Sequence, residues 1–559
     1  MARIDRVIQY AISIIAVGLS LWHLAIVAGF LSYSTIEVRV VHITALLVLV
    51  FLAARPSGPA ITDDASAAPP AARLALGLRL ALSAAAIGVG VYTYLRWKPI
   101  AFSGGLTNDT DAYVGIVLIA LVMTAVVRRI GWLLAIIAGA FLLYPLISEY
   151  LPDVLSTRGY GWERVAIFMA TGTEGIFGIP LGVSASYIIV FTIFGAFLNN
   201  FGAGEFFFQL ANAVTRNARA ASAKTAVIFS TFLGMISGSA AGNVAVTGTM
   251  TIPMMKRDGY KPNQAAAIEA AVSTGGQIMP PIMGAAAFIM AEIIGRPYAD
   301  IMTAALIPAL MFFVSILLIV HLQAVKANMA RSASADEPRE PLGKVFLPGL
   351  RFLIPFFTLI GMMLSGYSPF RASFVALIVL LAGCILFEWR DVVAFGRKTL
   401  KSLEDGALAV MSIAVACAAA GIVAGILSMT GLGSKISNLI IVLAAGQPLV
   451  ALAMTAVLAI ILGMGLPTTA AYLILATVVA PPLVEMGVPL LTAHMFVFFF
   501  GCISTITPPV ALASYVAAGI AGSDINKTSW TAFAYGITSY ILPFMFFFGP
   551  ALLMQGSLV

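Results

Sequence analysis

The sequence predicts an all-α polytopic membrane protein that contains an inverted repeat with two re-entrant helical hairpins. Of its 559 residues, 61% are hydrophobic and 10% are charged, whereas soluble domains have roughly 45–50% apolar residues. The apolar runs are long enough to span a bilayer as helices and lack the period-two alternation of barrel strands. Two kinds of short polar, glycine-rich interruption occur twice and in the same order, which predicts the repeat.

Charge and cysteine content exclude several other classes of protein. The net charge is +7, but the basic residues form short clusters between apolar runs, which is typical of a positive-inside membrane protein and not of a nucleic-acid-binding face. The cysteines, Cys384, Cys417 and Cys502, lie in apolar segments without metal-ligand spacing. The first apolar run predicts an uncleaved helix because it is long enough to span.

An N-terminal module is predicted for residues 1–160, with candidate spans at about 7–30, 36–53, 75–97, 112–127 and 131–150. Arginines at the start, after the second span and after the fourth span fall on one side, which predicts a cytoplasmic N-terminus. Residues 161–559 form the predicted second module. Its first repeat covers about 161–322, a hydrophilic cytoplasmic linker 323–344, and its second repeat 345–559.

The first hairpin is predicted from two apolar arms at 225–236 and 244–255, which flank a tip rich in glycine and serine. Lys256, Arg257 and Lys261 lie near its base, so the hairpin enters and leaves on the cytoplasmic face. A broken span at about 262–294 follows. Its polar segment 273–281 ends in Pro-Pro, which predicts that the helix unwinds at membrane depth inside protein.

The second copy has hairpin arms at about 447–463 and 469–484 and a broken span at 490–522. Gly465 and Pro508 lie nearly as far apart along the chain as Gly238 and Pro280. Few basic residues lie at the second base, so this hairpin is predicted to enter from the opposite face. Unbroken spans are predicted at about 179–203, 300–322, 345–364, 370–388, 406–430 and 529–554, with a basic amphipathic segment at 389–405.

Single polar residues in the apolar segments carry weaker predictions. Glu269 lies in the first broken span, where an acid is costly and often functional, but an ion pair with Arg257 or Lys261 is the favoured prediction. We expect the histidines to be packed and hydrogen-bonded, with His23 and His42 as neighbours on adjacent helices. Gln277 either stabilises the break or meets substrate.

Catalysis is not predicted, and the chain is expected not to be an enzyme. The sequence contains no phosphate-binding GxxxxGK[ST] loop, which argues against a primary pump. It also lacks HExxH, GxSxG and paired-carboxylate constellations. Discontinuous helices in two matched copies instead favour a secondary transporter, in which helix ends and unwound carbonyls meet substrate and coupling ion.

The tips and breaks resemble the membrane component of tripartite ATP-independent periplasmic (TRAP) transporters, specifically the fused small-plus-large permease that works with TAXI-type binding proteins. The segments that carry this resemblance are SGSAAGNVAVTGTMTIPMMKRDGY (237–260), STGGQIMPP (273–281), GMGLPTTAAY (463–472) and STITPPVA (504–511). The match covers about 161–559 as the large subunit. The N-terminal module corresponds to the small, scaffold subunit by position and helix number.

The resemblance implies an elevator-type transporter in a bacterial or archaeal cytoplasmic (inner) membrane. It would import a small organic acid anion, of the dicarboxylate or 2-oxo/2-hydroxy acid type, which a periplasmic TAXI-type binding protein delivers. Na⁺ would be the coupling ion. Carried to matching positions, the resemblance implies two Na⁺ sites. The ligands of one would be Ser237, Asn243, Ser273 and Gly275, and those of the other Gly465, Thr468, Ser504 and Thr507. The resemblance also implies substrate contacts at Ser239, Asn243, Thr274, Thr469 and Thr505.

Alternatives stay open at this point. Proton (H⁺) coupling could replace sodium, and the chain could be a dicarboxylate carrier that needs no binding protein. An ion channel belongs to a different class; it would need a continuous lined pore, whereas paired hairpins favour alternating access. The protein could be monomeric, because the N-terminal module could widen the scaffold.

Overall fold

The computed structural model describes residues 2–53, 70–152, 155–215, 218–328, 342–388 and 391–555. This part of the chain is helical and contains no extended strand. Eleven of its helices are long and apolar enough to cross a membrane. Each of the unbroken spans predicted from the sequence overlaps one of these helices, which confirms the predicted all-α polytopic fold class.

The N-terminal helices fall at the predicted places; the first, third and fourth are longer than the predicted spans, and the fifth is shorter. Two of them begin with capping boxes, in which Ser34 pairs with Glu37 and Asn108 pairs with Asp111; such caps satisfy backbone groups at the helix start. The helices are α1 (Ala2–Val27), α2 (Thr35–Leu52), α3 (Pro70–Phe102), α4 (Asp109–Arg129), α5 (Trp132–Ile147) and α6 (Trp162–Thr171).

The first repeat contains the predicted hairpin and broken span. A π-helical turn at Ser184–Ile188 joins its first two helices into one span. The helices are α7 (Ile179–Val183), α8 (Ile189–Asn200), α9 (Ala203–Thr215), α10 (Ala221–Ser237), α11 (Ala240–Arg257), α12 (Pro262–Gly275), α13 (Ala285–Ile294) and α14 (Tyr298–Lys326).

The second repeat differs from the prediction at its third helix. The amphipathic segment and the span at 406–430 form one continuous helix of 39 residues. This segment contains no proline, and an i,i+4 ion pair between Lys401 and Asp405 (2.8 Å) lies directly before the predicted boundary, an arrangement that supports helix continuation. The helices so far are α15 (Leu342–Leu364), α16 (Pro369–Glu388) and α17 (Val392–Thr430).

The second hairpin and broken span also form, after a short helix that the sequence analysis did not predict. The final span is divided near Gly536. The helices are α18 (Leu432–Leu443), α19 (Pro448–Gly463), α20 (Thr468–Val478), α21 (Ala480–Glu485), α22 (Leu490–Ile503), α23 (Leu512–Ala521), α24 (Ile525–Tyr535) and α25 (Ile537–Phe548).

Two compact units make up the chain. The first consists of Met1–Phe197 and Gly396–Lys435, and the second of Leu198–Phe395 and Ile436–Val559. Both hairpins and both broken helices belong to the second unit. The functional division at residue 160 stays a prediction, as does the cytoplasmic position of the N-terminus. Residues 329–341 of the predicted linker lie outside the described part, and the flanks of the linker are helical up to Lys326 and from Leu342.

Within the first unit, buried polar contacts hold the helices together. His42 Nδ1 lies 3.0 Å from His23 Nε2, and His42 Nε2 lies 3.0 Å from the Ser184 hydroxyl. The predicted neighbourhood of His23 and His42 is therefore confirmed. Gly421 and Gly425 bring α17 against the backbone at Gly175; a Cβ added at Gly421 would lie 2.5 Å from the Gly175 carbonyl oxygen. Small residues allow this close helix approach.

Candidate functional site

The first hairpin turns over two residues. α10 ends at Ser237, and Gly238 adopts a left-handed conformation (φ +61°) that a side chain would disfavour. Ser239 then caps α11, because its hydroxyl accepts a hydrogen bond from the Gly242 backbone N–H at 3.2 Å. The tip therefore presents the C-terminal end of one helix beside the N-terminal end of the next.

The first broken helix unwinds between α12 and α13. A 3₁₀ turn at Gly276–Ile278 follows α12, and irregular backbone that includes a cis Pro280–Pro281 bond leads to α13. The Tyr298 hydroxyl lies 2.8 Å from the Pro281 carbonyl oxygen and 2.6 Å from that of Ile282. Tyr298 thus supplies a partner for backbone that would cost several kcal/mol if unsatisfied in hydrocarbon.

Glycines let the first tip pack directly on the first break. A Cβ added at Gly234 would lie 2.6 Å from the Gly276 Cα, and one added at Gly276 would lie 2.6 Å from the Gly234 Cα. Gly238 and Gly284 approach each other as closely. Because the opposing atoms are backbone, no side-chain rotation could relieve a substitution here. These glycines therefore fix the tip and break at contact distance.

A buried carboxylate ties the hairpin arms to the helix that leads into the break. Glu269 on α12 is fully buried. Its Oε1 accepts hydrogen bonds from Ser230 (2.6 Å), Thr247 and Ser273 (3.1 Å), and its Oε2 accepts one from Thr251 (2.5 Å). We call these five residues the Glu269 cluster.

The predicted ion pair of Glu269 with Arg257 or Lys261 is wrong. The carboxylate is held by hydroxyl groups of α10, α11 and α12, so it points into the contact between these three helices. Arg257 and Lys261 are exposed at the base of the hairpin. Threonines one turn apart on α11, at positions 247 and 251, were the sequence signal for a polar helix face that could receive this acid.

Asn243 lies in the first turn of α11 and is fully buried. Its Nδ2 donates to the Ser230 carbonyl oxygen at 2.9 Å, which joins the two hairpin arms. Its Oδ1 is buried and has no hydrogen-bond partner. A buried amide oxygen without a partner is costly, so this atom is a candidate ligand group at the tip.

The second hairpin and break repeat this arrangement with different side chains. α19 ends at Gly463, Gly465 adopts φ +76°, and α20 begins at Thr468. After α22, a 3₁₀ turn begins at Ser504, whose hydroxyl donates to the Gly463 carbonyl oxygen (3.0 Å) or the Gly501 carbonyl oxygen (2.8 Å). The Ser504 hydroxyl therefore links the second break to the first arm of the second hairpin.

Hydrogen bonds also join the two copies to each other. The Thr274 and Thr505 hydroxyls, one from each break, lie 3.1 Å apart. Gln277 in the first break donates from Nε2 to the Thr468 hydroxyl of the second tip at 2.7 Å, and the same nitrogen lies 3.4 Å from the Gly238 carbonyl oxygen of the first tip. All four interrupted segments therefore meet in one place within the second unit.

The predicted site residues fall into two groups. The buried group consists of Asn243, Ser273, Thr274, Gly275, Thr468, Thr469, Ser504, Thr505 and Thr507. Hydrogen bonds place Thr274, Thr468 and Thr505 where the two copies meet. Ser237 and Ser239 are exposed on the first tip, and Gly465 is half-buried on the second. Thr507 is turned toward α25, where its hydroxyl lies 2.6 Å from that of Tyr540. The sequence analysis missed Ser230, Thr251, Tyr298 and Tyr540.

The donor set at this place consists of neutral hydroxyl, amide and carbonyl oxygens, with one nearby carboxylate. Groups of three or more His, Cys, Asp or Glu that could hold a metal are absent from the described ranges, so a site for a transition metal is not indicated. Oxygen ligands suit hard cations. The N-terminal ends of α11 and α20 add backbone N–H groups and a positive dipole end, which favour anions.

Comparison with protein families gives a match over residues 117–559 to the family described as tripartite ATP-independent periplasmic transporter, DctM component. Two similar relatives are large permease proteins. YiaN of the Escherichia coli 2,3-diketo-L-gulonate transporter is 25% identical over 340 residues, 59% of this chain and 76% of the relative. DctM of the Pseudomonas aeruginosa C4-dicarboxylate transporter is 26% identical over 341 residues, which cover 60% of this chain and 78% of the relative.

A solved structure gives a likeness in fold. The crystal structure of the YdaH transporter of Alcanivorax borkumensis, described as having an unusual topology, superposes with a TM-score of 0.50 at 14% sequence identity. The superposition covers 75% of this chain and 97% of the other. At this identity the likeness concerns the architecture of the helices and not the chemistry of the site.

Proposed function

The chain belongs to the DctM component family of tripartite ATP-independent periplasmic transporters, and we propose that it imports a small organic acid anion together with Na⁺. In this proposal a periplasmic binding protein of the TAXI type delivers the anion. The permease is the multi-pass membrane component in the bacterial or archaeal inner membrane. It moves its cargo by elevator-type alternating access.

One observation carries the proposal: the meeting of both hairpin tips and both helix breaks around Gln277, Thr468, Thr274 and Thr505. Discontinuous helices that meet in this way are how secondary transporters hold a coupling ion and a substrate together. A single break could serve packing alone. Two matched breaks, each against its own hairpin, favour a binding site.

Sodium suits the oxygen atoms that the tips and breaks offer. Asn243 contributes a buried amide oxygen without a protein partner, and Ser273 and Ser504 contribute hydroxyl oxygens. Gly275 at the C-terminal end of α12 and Gly465 in the turn of the second tip contribute carbonyl oxygens; carbonyl oxygens at such helix ends and unwound segments serve as ligands in transporters. These groups are neutral hard ligands, so they fit a monovalent hard cation better than a transition metal.

An organic anion suits the helix ends beside these oxygens. α11 begins just after the first tip and α20 just after the second, so two positive dipole ends approach the place where the copies meet. The two tips (237–248 and 463–472) and the two breaks (273–284 and 504–511) contain neither Lys nor Arg. The anion is therefore proposed to be held by backbone N–H groups and by the hydroxyls of Ser239, Thr274, Thr469 and Thr505, with part of its charge balanced by the co-bound cation.

Uptake into proteoliposomes tests this function. The full chain, reconstituted with and without a periplasmic binding protein encoded beside it, is assayed with radiolabelled dicarboxylates and 2-oxo and 2-hydroxy acids. We expect saturable uptake that requires the binding protein and an inward Na⁺ gradient, because the cation and the anion occupy one site.

Each gradient is imposed separately in these vesicles. Uptake driven by a proton gradient without sodium would replace Na⁺ by H⁺ in the proposal. Saturable uptake without the binding protein would favour an independent carrier. Conductance that does not saturate with substrate would instead favour a channel.

A further inference from the structure

Each hairpin tip and the break that it contacts form what we call a tip-and-break pair. The two pairs have the same order of backbone elements but differ in charge. In the first pair, Glu269 lies four residues before Ser273 and accepts a hydrogen bond from the Ser273 hydroxyl. In the second pair, Phe500 lies four residues before Ser504, and Ser504 donates to backbone carbonyls instead. Phe500 packs against Phe496 and Phe544, with ring centroids 4.9 and 6.0 Å apart. The second copy therefore replaces the acid with an aromatic contact.

The hydroxyl groups of the Glu269 cluster are arranged to hold the Glu269 carboxylate in its ionised form. An ionised carboxylate only accepts hydrogen bonds, and a hydroxyl can donate just one. Four hydroxyls from three helices lie within hydrogen-bond distance of this carboxylate. Those of Ser230, Thr247 and Thr251 each have a second acceptor nearby, whereas the Ser273 hydroxyl donates to the carboxylate alone. No ion pair of Glu269 is found among the described residues. A buried charge of this kind is stabilised by hydrogen bonds alone unless a cation is bound nearby.

The bond to Glu269 also determines what Ser273 can do. Because the Ser273 hydroxyl gives its hydrogen to the carboxylate, its oxygen lone pairs remain available to accept a second interaction or to bind a cation. Thr247, one turn after Asn243 on α11, differs: its hydroxyl also lies 2.8 Å from the Asn243 carbonyl oxygen and 3.0 Å from the Ser230 hydroxyl. Asn243 independently indicates a ligand here, since its Oδ1 is fully buried without a hydrogen-bond partner.

The second pair lacks a comparable negative charge. Ionisable side chains close to it in sequence include Tyr472 at the end of the second hairpin motif and His494 on α22, which are hydrogen-bonded to each other at 2.9 Å. Neither carries a negative charge near neutral pH. A cation bound between Gly465, Thr468 and Ser504 would therefore find its opposite charge only in the anionic substrate.

We propose that Glu269 is the positioning residue of the first cation site, where its carboxylate orients the Ser273 hydroxyl and balances the charge of the bound cation. The inference rests on the proposed function and specifies the order of binding. One Na⁺ binds to the first tip-and-break pair without substrate. The second Na⁺ binds to the neutral pair together with the organic anion.

Titration of sodium into the purified full chain without substrate tests this order. Binding is measured by isothermal titration calorimetry with NaCl, at an ionic strength held constant with choline chloride. The wild-type chain is expected to bind one equivalent of Na⁺. Glu269→Gln is expected to raise the dissociation constant at least about tenfold, because a nearby compensating charge is lost. Glu269→Asp, which keeps the charge, is expected to bind more tightly than Glu269→Gln.

Ser504→Ala provides the matched comparison in the neutral pair. It is expected to leave substrate-free sodium binding at the wild-type level and to raise the sodium concentration for half-maximal uptake. A merely structural role of Glu269 would lower the melting temperature of Glu269→Gln without changing its sodium affinity, and that result would overturn the proposal. If Glu269→Gln does not fold, Ser273→Ala replaces it, with a raised dissociation constant expected and an unchanged one contradicting the proposal.

Failure of this inference can be told apart from failure of the proposed function. If wild-type uptake is independent of sodium, the coupling ion of the proposed function is wrong. If wild-type uptake depends on sodium but Glu269→Gln binds sodium as the wild type does, only the role of Glu269 is wrong. If Ser504→Ala loses substrate-free binding and Glu269→Gln keeps it, the order of the two cations is reversed.

Discussion

Asn243→Ala is expected to abolish sodium-coupled uptake while the protein still folds. The substitution removes the buried Oδ1 without a partner, which we propose as a ligand, and the 2.9 Å bond from Nδ2 to the Ser230 carbonyl oxygen. The initial rate of uptake into proteoliposomes should fall at least about a hundredfold, which corresponds to about 2.7 kcal/mol. Melting temperature and size-exclusion profile establish that the variant is folded.

Asn263→Ala is the matched control for this prediction. Asn263 belongs to α12 of the same unit, and its amide makes one long contact, at 3.5 Å, with the Thr531 hydroxyl. We expect the Asn263→Ala variant to take up substrate at the wild-type initial rate. If Asn243→Ala takes up substrate at the wild-type rate, the first tip is not part of the site. If Thr469→Ala does so as well, the site lies elsewhere.

Gln277→Ala has the second large expected effect. The Gln277 amide joins the first break to the Thr468 hydroxyl of the second tip, and it also approaches the Gly238 carbonyl oxygen of the first tip. Without it, buried polar groups on both hairpins lose a partner, which costs about 1–3 kcal/mol. The maximal rate of uptake should therefore fall about tenfold or more, as measured from the substrate dependence of initial rates.

A surface glutamine controls for loss of the side chain itself. Gln209 is exposed on α9, where its amide contacts Glu205 one turn away. Gln209→Ala is expected to keep the wild-type rate and the wild-type KM. Equal rates for the two glutamine variants would show that the link between break and tip does not contribute to transport.

Backbone chemistry explains why the interrupted segments could be predicted from the sequence. Gly238 and Gly465 adopt positive φ, and a proline pair lies within each break. Glycine and proline act locally, so their effect on a helix follows from sequence alone. Gly234 and Gly276 can approach each other because neither has a side chain, but the sequence does not specify which glycine faces which.

Side-chain partners could be predicted less well because they depend on how helices are rotated against one another. Glu269 was assigned to basic residues near it in the chain, whereas its partners come from three helices. Tyr298 was missed for the same reason: its role at the first break depends on packing against Pro281 and Ile282. Sequence indicated where a polar site would form but not which pairs would form it.

One predicted helix boundary differs from the structure, because the amphipathic segment before residue 406 continues as helix into the following span. The segment before residue 406 was predicted as an amphipathic segment separate from the span, yet Lys401 and Asp405 pair along one helix face. Charged residues spaced four apart stabilise a helix instead of ending it. In the absence of proline, the amphipathic segment and the following span form the single helix α17.

Accessibility of the two hairpin bases tests the central claim most directly, because ion-coupled alternating access through this repeat requires hairpins that enter from opposite faces. Single cysteines are placed at Ala218, before α10, and at Gln447, before α19, in a background without native cysteines, and are labelled in sealed vesicles with a membrane-impermeant maleimide. We expect the Ala218 position to react from the cytoplasmic side and the Gln447 position from the periplasmic side. Reaction of both positions from the same side would contradict the account.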